Sequence, residues 1–178
     1  MTSRPRLALL AGAALLTTAA AAYAAGAAQQ SPPQASRKAL AQAVDPAGAR
    51  GRTLGLSRVR IPAHTRLALH RHPGTQVAYI QKGTLTYTVT SGVVNVYRGA
   101  ADQSPRLVRR VAAGEMGRVR AGEWVIERPR AVHFGANEGD GPLVILLATL
   151  FRTGSPASIP VPEGTRAPDQ AASGRWVP

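Results

Sequence analysis

The chain has 178 residues, 22 of them Lys or Arg against 9 Asp or Glu, for a formal net charge of +13, and it has no cysteine. That length admits one ordinary domain with appendages, enough to bury a core unaided, and leaves little room for two. Without cysteine, disulfides and thiolate metal sites are excluded, and imidazole, carboxylate and amide remain as candidate ligands.

The N-terminus opens with Arg4 and Arg6, followed by an uncharged run over residues 7–28 dominated by Ala and Leu. This is the layout of a secretory signal peptide, and A-x-A sites at Ala22-Tyr23-Ala24 and Ala25-Gly26-Ala27 mark where it would be cut. Residues 1–28 are therefore expected to be an export signal. Left uncleaved, the same run is long enough to cross a bilayer and would anchor the domain to the membrane. Either way the working domain is expected outside the cytoplasm. Residues 29–52 read as a linker: a Pro-rich start, then Ala and Leu in residues 36–44 spaced for one apolar face of a short helix, ended by Asp45-Pro46-Ala47-Gly48.

Between residues 53 and 151 the pattern changes to short runs of Val, Leu, Ile, Thr and Tyr separated by Gly, Pro and Asn, which predicts an all-β sandwich or barrel. The clearest strand covers residues 84–90, where Leu85, Tyr87 and Val89 share one buried face and the threonines the wet one. Ser91-Gly92 is then expected to close a hairpin with residues 93–97. Further strands are expected at 54–61, 66–70, 76–81, 107–111, 117–119, 124–127 and 143–151, the last apolar enough to be buried on both faces. Tyr79, Tyr87 and Trp124 read as core or barrel-wall aromatics. Residues 152–178 are rich in Gly, Ser, Pro and Ala and have no core of their own. This tail is either disordered or laid over the barrel, with Ile159, Val161 and Trp176 as the residues that could tie it down.

Three of the four histidines fit one geometric idea. Residues two apart in a strand point the same way, so His70 and His72 project from a common face and can grip one ion. Gln76 follows the turn Pro73-Gly74-Thr75 and can bring its amide oxygen to the same interior, and His133 lies where a later strand can return. Such a set suits one divalent transition metal ion, Mn, Fe, Co, Ni, Cu or Zn. His64 reads as a surface histidine near a turn.

The run His70-Arg71-His72-Pro73-Gly74-Thr75-Gln76, closed by Gly83, resembles the first sequence motif of the cupin superfamily, H-x-H, three residues, an acidic residue, six residues and Gly. Gly122, Pro129, His133 and Asn137 resemble the second motif. Here Gln76 stands where the family has Glu, His64 stands where the first motif begins with Gly, and the spacing around Pro129 is shifted by one residue on each side. The resemblance spans residues 53–151. It implies an all-β, double-stranded β-helix jelly-roll barrel with a metal ion at its centre, held by His70, His72, Gln76 and His133. With Gln for Glu the centre would carry one negative charge fewer, hold a divalent ion less tightly and accept an anionic chelating molecule more readily.

The family contains dioxygenases, isomerases, decarboxylases and sugar-binding and storage proteins, so the fold does not name a reaction. One expectation is a mononuclear metalloenzyme, dioxygenase-like or an isomerase, acting on a small molecule that is anionic if Arg118, Arg120, Arg128 or Arg130 points inward. Another is a non-catalytic module of the cell envelope binding a small molecule or sugar, and a third is an envelope protein with a vestigial site. Apart from Arg106, Arg109 and Arg110 the cations are scattered, so specific nucleic-acid binding is not expected. The resemblance also allows a homodimer.

Overall fold

The computed structural model describes residues 34–164. Residues 1–28, expected from the sequence to be an export signal, and Trp176 lie outside the described residues. The strands are β1 (Ser36–Val44), β2 (Arg52–Ile61), β3 (Thr65–Arg66), β4 (His70–Arg71), β5 (Thr75–Lys82), β6 (Thr84–Ser91), β7 (Val93–Arg98), β8 (Arg106–Ala112), β9 (Met116–Arg120), β10 (Glu123–Glu127), β11 (Val132–Asn137), β12 (Leu143–Arg152) and β13 (Ile159–Pro160). Among the described residues there is no helix.

Two antiparallel sheets result. One runs β1-β2-β12-β5-β10-β7-β8, the other β13-β4-β11-β6-β9, with β3 also paired to β11. This is the all-β jelly roll expected from the sequence. Period-two alternation builds its interior: Ile61, Ala78, Ile80, Val94, Val96, Val125, Leu143 and Ile145 of the first sheet meet Leu85, Tyr87, Val89 and Val119 of the second in one apolar cluster.

Residues 36–44 are a strand, not the expected short helix. An isolated nine-residue helix is marginal in water. Pairing with the free edge of β2, from Ser36 opposite Arg60 to Val44 opposite Thr53, satisfies the same backbone groups in a ladder. The turn that was read as a helix stop is what folds β1 back, with Asp45 at a positive φ of 51° and its Oδ1 accepting the Gly51 amide. The linker at 29–52 is thus, over its second half, part of the first sheet.

Ser91-Gly92 does not close a hairpin. β6 already pairs with β11 and β9 on its two sides, and β7 pairs with β10 and β8, so these residues carry the chain from one sheet to the other. Gly92, at φ 83°, permits that corner. The expected strand at 66–70 is broken into the two short pieces β3 and β4. β12 is buried on one face only. Leu150 is exposed, and it shares an outward apolar face of the sheet with Leu54, Leu56, Val77 and Tyr79. The threonine face of β6 is also less wet than expected, since Thr86 is buried and donates to Glu138.

The tail at 152–178 begins inside the fold. Ile159 and Pro160 pair with Arg71 and His70, and the Val161 amide donates to the Leu69 carbonyl at 3.0 Å. Its first part lies over the barrel beside the histidine-bearing strand.

Candidate metal centre

Two cross-strand pairs, one from each sheet, build the centre. In the second sheet His70 of β4 lies directly opposite His133 of β11. In the first sheet Gln76 of β5 lies directly opposite Glu127 of β10. Directly opposed residues have neighbouring side chains on one face, and here that face is the interior: Gln76, Glu127 and His133 are buried. His72, also buried, sits on the bend between β4 and β5. Gly74 makes that bend possible, because a Cβ there would come within 2.4 Å of the Leu150 carbonyl oxygen. Gly83 closes the other end of β5 at φ 84°.

All three imidazoles are turned the same way. Nδ1 of His70 lies 2.7 Å from the Ala68 carbonyl, Nδ1 of His72 3.0 Å from that of Ala157, and Nδ1 of His133 3.3 Å from that of Ala131. A carbonyl oxygen only accepts, so each Nδ1 carries the hydrogen and each Nε2 keeps its lone pair. Ligand atoms of the three residues lie within 4.8 Å of one another. Asn137, four residues beyond His133, fixes the end of β11 by donating Nδ2 to the carbonyls of Ile61, Pro62 and Gly141 and accepting the Gly139 amide on Oδ1.

The sequence reading missed Glu127. Its carboxylate accepts Tyr87 Oη at 2.8 Å on Oε1 and the Gln76 amide nitrogen on Oε2. It lies 3.4 Å from Nε2 of both His72 and His133. The Gln76 amide nitrogen also donates to His72 Nε2 at 3.0 Å, and the buried Oε1 of Gln76 has no hydrogen-bond partner. Burial works against a charged Glu127, yet the facing His133 and His72 and the Gln76 hydrogen bond outweigh it and hold the carboxyl well below its ordinary range. Burial lowers His133 to about 4, more than the attraction of Glu127 raises it. His70 is lowered as well, chiefly by burial. At neutral pH Glu127 is therefore an anionic carboxylate, and His70 and His133 are neutral imidazoles. Opposite the neutral Gln76, Glu127 thus places a negative charge that the sequence reading did not count.

This donor set fits a divalent transition metal ion. The ligand atoms of three imidazoles lie together, their ring orientations already fixed by backbone carbonyls, and the Glu127 carboxylate stands beside two of them. Tyr87 stacks on His133 with ring centroids 4.9 Å apart, and Phe151 lies against His72. Burial, then the charge of Glu127, raises the Tyr87 phenol well above its ordinary value, so it stays a neutral donor.

The centre opens into a cavity of about 360 Å³ walled by Val59, Leu67, Leu85, Ile145 and Leu147. Arg37 of β1 lines it and donates Nε to Ser57 Oγ at 3.0 Å. Arg118, Arg120, Arg128 and Arg130 are all exposed and do not line it. His64 is a surface residue beside Asp140. Of the three aromatics, Tyr87 is in the core, Tyr79 is exposed, and Trp124 is half-buried against Tyr97 on the outer face.

No family model matches the sequence, and no curated protein matches it. Solved structures do. A cupin superfamily protein from Desulfitobacterium hafniense shares 14% identity over 66% of this chain and 78% of its own, with a TM-score of 0.44. A cupin-like protein from Thermotoga maritima shares 18% over 71% and 75%, with a TM-score of 0.45. The oxalate decarboxylase of Lactobacillus farciminis shares 22% over 61% of this chain and 26% of its own, with a TM-score of 0.39.

Proposed function

We propose that this chain is a mononuclear metal protein of cupin type that binds a small anionic organic molecule in its barrel, outside the cytoplasm. One observation carries the reading: three imidazoles, each with Nδ1 at a backbone carbonyl, line one cavity with ligand atoms within 4.8 Å of one another. His70, His72 and His133 would hold the ion. Bound there, the ion would supply Lewis-acid polarisation or activation of dioxygen.

The chain's own residues supply the rest. Val59, Leu67, Ile145 and Leu147 give the ligand apolar walls that exclude water. Arg37, the one Lys or Arg among the residues lining the cavity, would receive a carboxylate of the ligand. Tyr87 keeps its proton and presents it to Glu127, holding that carboxylate in place. Support for export is the sequence of residues 1–28 alone.

The test begins with elemental analysis of purified protein and titration of the metal-free form with Mn, Fe, Co, Ni, Cu and Zn. One equivalent of ion, lost in His70→Ala, is expected. Failure to take up any of them would leave a barrel with a vestigial site. Product formation or oxygen consumption across catechols, hydroxy acids and sugars then separates a catalyst from a binding module.

A further inference from the structure

We infer that Glu127, rather than Gln76, is the carboxylate ligand of this centre, the negative charge having moved from β5 to the directly opposed position on β10. The inference rests on the metal-binding reading above and goes beyond it by naming a fourth ligand outside both sequence motifs.

Geometry comes first. The two carboxylate oxygens lie 3.4 Å from Nε2 of His72 and of His133. Metal–nitrogen and metal–oxygen bonds of about 2.1 Å at tetrahedral angles separate neighbouring ligand atoms by about 3.4 Å. Glu127 thus already stands at ligand-to-ligand distance from two of the three imidazoles.

The Gln76 amide is oriented against ligation. Its nitrogen faces both His72 Nε2 and Glu127 Oε2, so it turns a donor group toward these ligand atoms. Reversing the amide would set its oxygen against a carboxylate oxygen and an imidazole lone pair, acceptor against acceptor. Gln76 is therefore a positioning residue for Glu127, and its Oε1 is left without a partner.

Electrostatics point the same way. Glu127 is 3% exposed, and its two hydrogen-bond donors are a phenol and an amide, neither of them cationic. A buried carboxylate needs a countercharge or a metal ion. A divalent ion between it and the imidazoles meets that need.

The experiment compares metal-free wild type with Glu127→Gln, Gln76→Ala and the charge-exchanged double variant Gln76→Glu/Glu127→Gln, each titrated with Zn and with Mn by calorimetry, after far-UV circular dichroism has established folding. Glu127→Gln is expected to weaken binding at least about 100-fold, more than loss of an outer partner would. Gln76→Ala should weaken it about tenfold or less, and the exchanged variant should return to within about tenfold of wild type. Infrared difference spectra with and without ion should show in the wild type a shifted carboxylate band that Gln76→Ala keeps and that folded Glu127→Gln lacks. Wild-type affinity in Glu127→Gln, or an equal loss in Gln76→Ala, overturns the inference while leaving the metal reading intact. Wild-type protein that takes up no ion overturns both.

Discussion

Ending the chain after Gly154 should loosen the metal centre without unfolding the barrel. The cut keeps Thr153, whose amide donates to the Gly51 carbonyl, and removes Ala157, Ile159, Pro160 and Val161. Lost are the His72 Nδ1 bond to Ala157 at 3.0 Å, the Val161 amide bond to Leu69 at 3.0 Å, and the pairing of β13 with β4. At about 1 kcal/mol net for each hydrogen bond these amount to about 2–4 kcal/mol. The exposed Arg66–Glu163 pair adds less than about 1 kcal/mol. For a domain of this size that is a fall in Tm of roughly 10 °C, small enough to leave a cooperative transition. The effect on the ion should be specific. His72 would lose the carbonyl that fixes its hydrogen on Nδ1 and its ring in place, and loss of such a partner weakens metal binding about 10- to 100-fold. Calorimetric titration with Zn at a temperature where both forms are folded, beside thermal melting of both, measures the two effects. A truncated protein with lowered Tm and undiminished affinity would refute the role assigned to Ala157, leaving the tail a cover and nothing more.

Stability of the metal-free protein should fall with acid in a defined window. His133 is held at about 4 when folded against 6.5 as a free side chain, so the unfolded chain binds more protons between these values and stability rises with pH across them. The full contribution is present above pH 6.5 and is lost progressively toward pH 4, by up to about 3 kcal/mol. Glu127, depressed below its ordinary 4.5, adds a further loss below that pH. Melting curves from pH 7.5 to 4 should show the decline and His133→Gln should flatten it; a flat wild-type profile would count against the buried, neutral imidazole. Asn137→Ala leaves a buried carbonyl of Ile61 and those of Pro62 and Gly141 without their shared donor, for an expected loss of about 2–4 kcal/mol in urea unfolding; a change under about 0.5 kcal/mol would show that water replaces it. Arg37→Ala should weaken binding of a small dicarboxylate about fivefold, as suits a rim charge worth about 1 kcal/mol, while leaving Zn affinity unchanged. An equal effect on an uncharged ligand of the same size would refute the charge role.

Most of the barrel was legible because its strands alternate. Residues 54–61, 76–81, 84–90 and 143–151 each carry apolar side chains at period two or in one run, and each is a strand within a residue or two of the expected ends. Pairing was less legible than strand identity. Ser91-Gly92 has the composition of a tight hairpin turn, but composition cannot report that β6 has both edges occupied by β11 and β9. The same limit explains β1: its Ala and Leu fit a helix locally, and only the open edge of β2, a tertiary fact, decides for the strand. The apolar run of β12 was over-read because burial on both faces and a half-open outer face leave the same residues in the sequence.

At the metal centre, legibility followed sequence distance. His70, His72 and Gln76 lie within seven positions, so strand period and one turn suffice to bring them together, and His133 was found through its spacing to Asn137. Glu127 had no such neighbour. It lies in a short strand, Glu-Trp-Val-Ile-Glu, whose two carboxylates share a face with Val125, and either face of such a strand could have been the wet one. The available signal was the reverse of hydrophobic patterning: in a chain with 9 acidic residues, two on one face of a five-residue strand mark either a surface or a site. Register decides between them. Because Glu127 stands opposite Gln76, and Glu123 is committed to Arg98, the inward face holds one carboxylate with a cation and one without. That second carboxylate, at 3.4 Å from two imidazole nitrogens, is where a divalent ion has the most to offer, and it could be found only once the strands were paired.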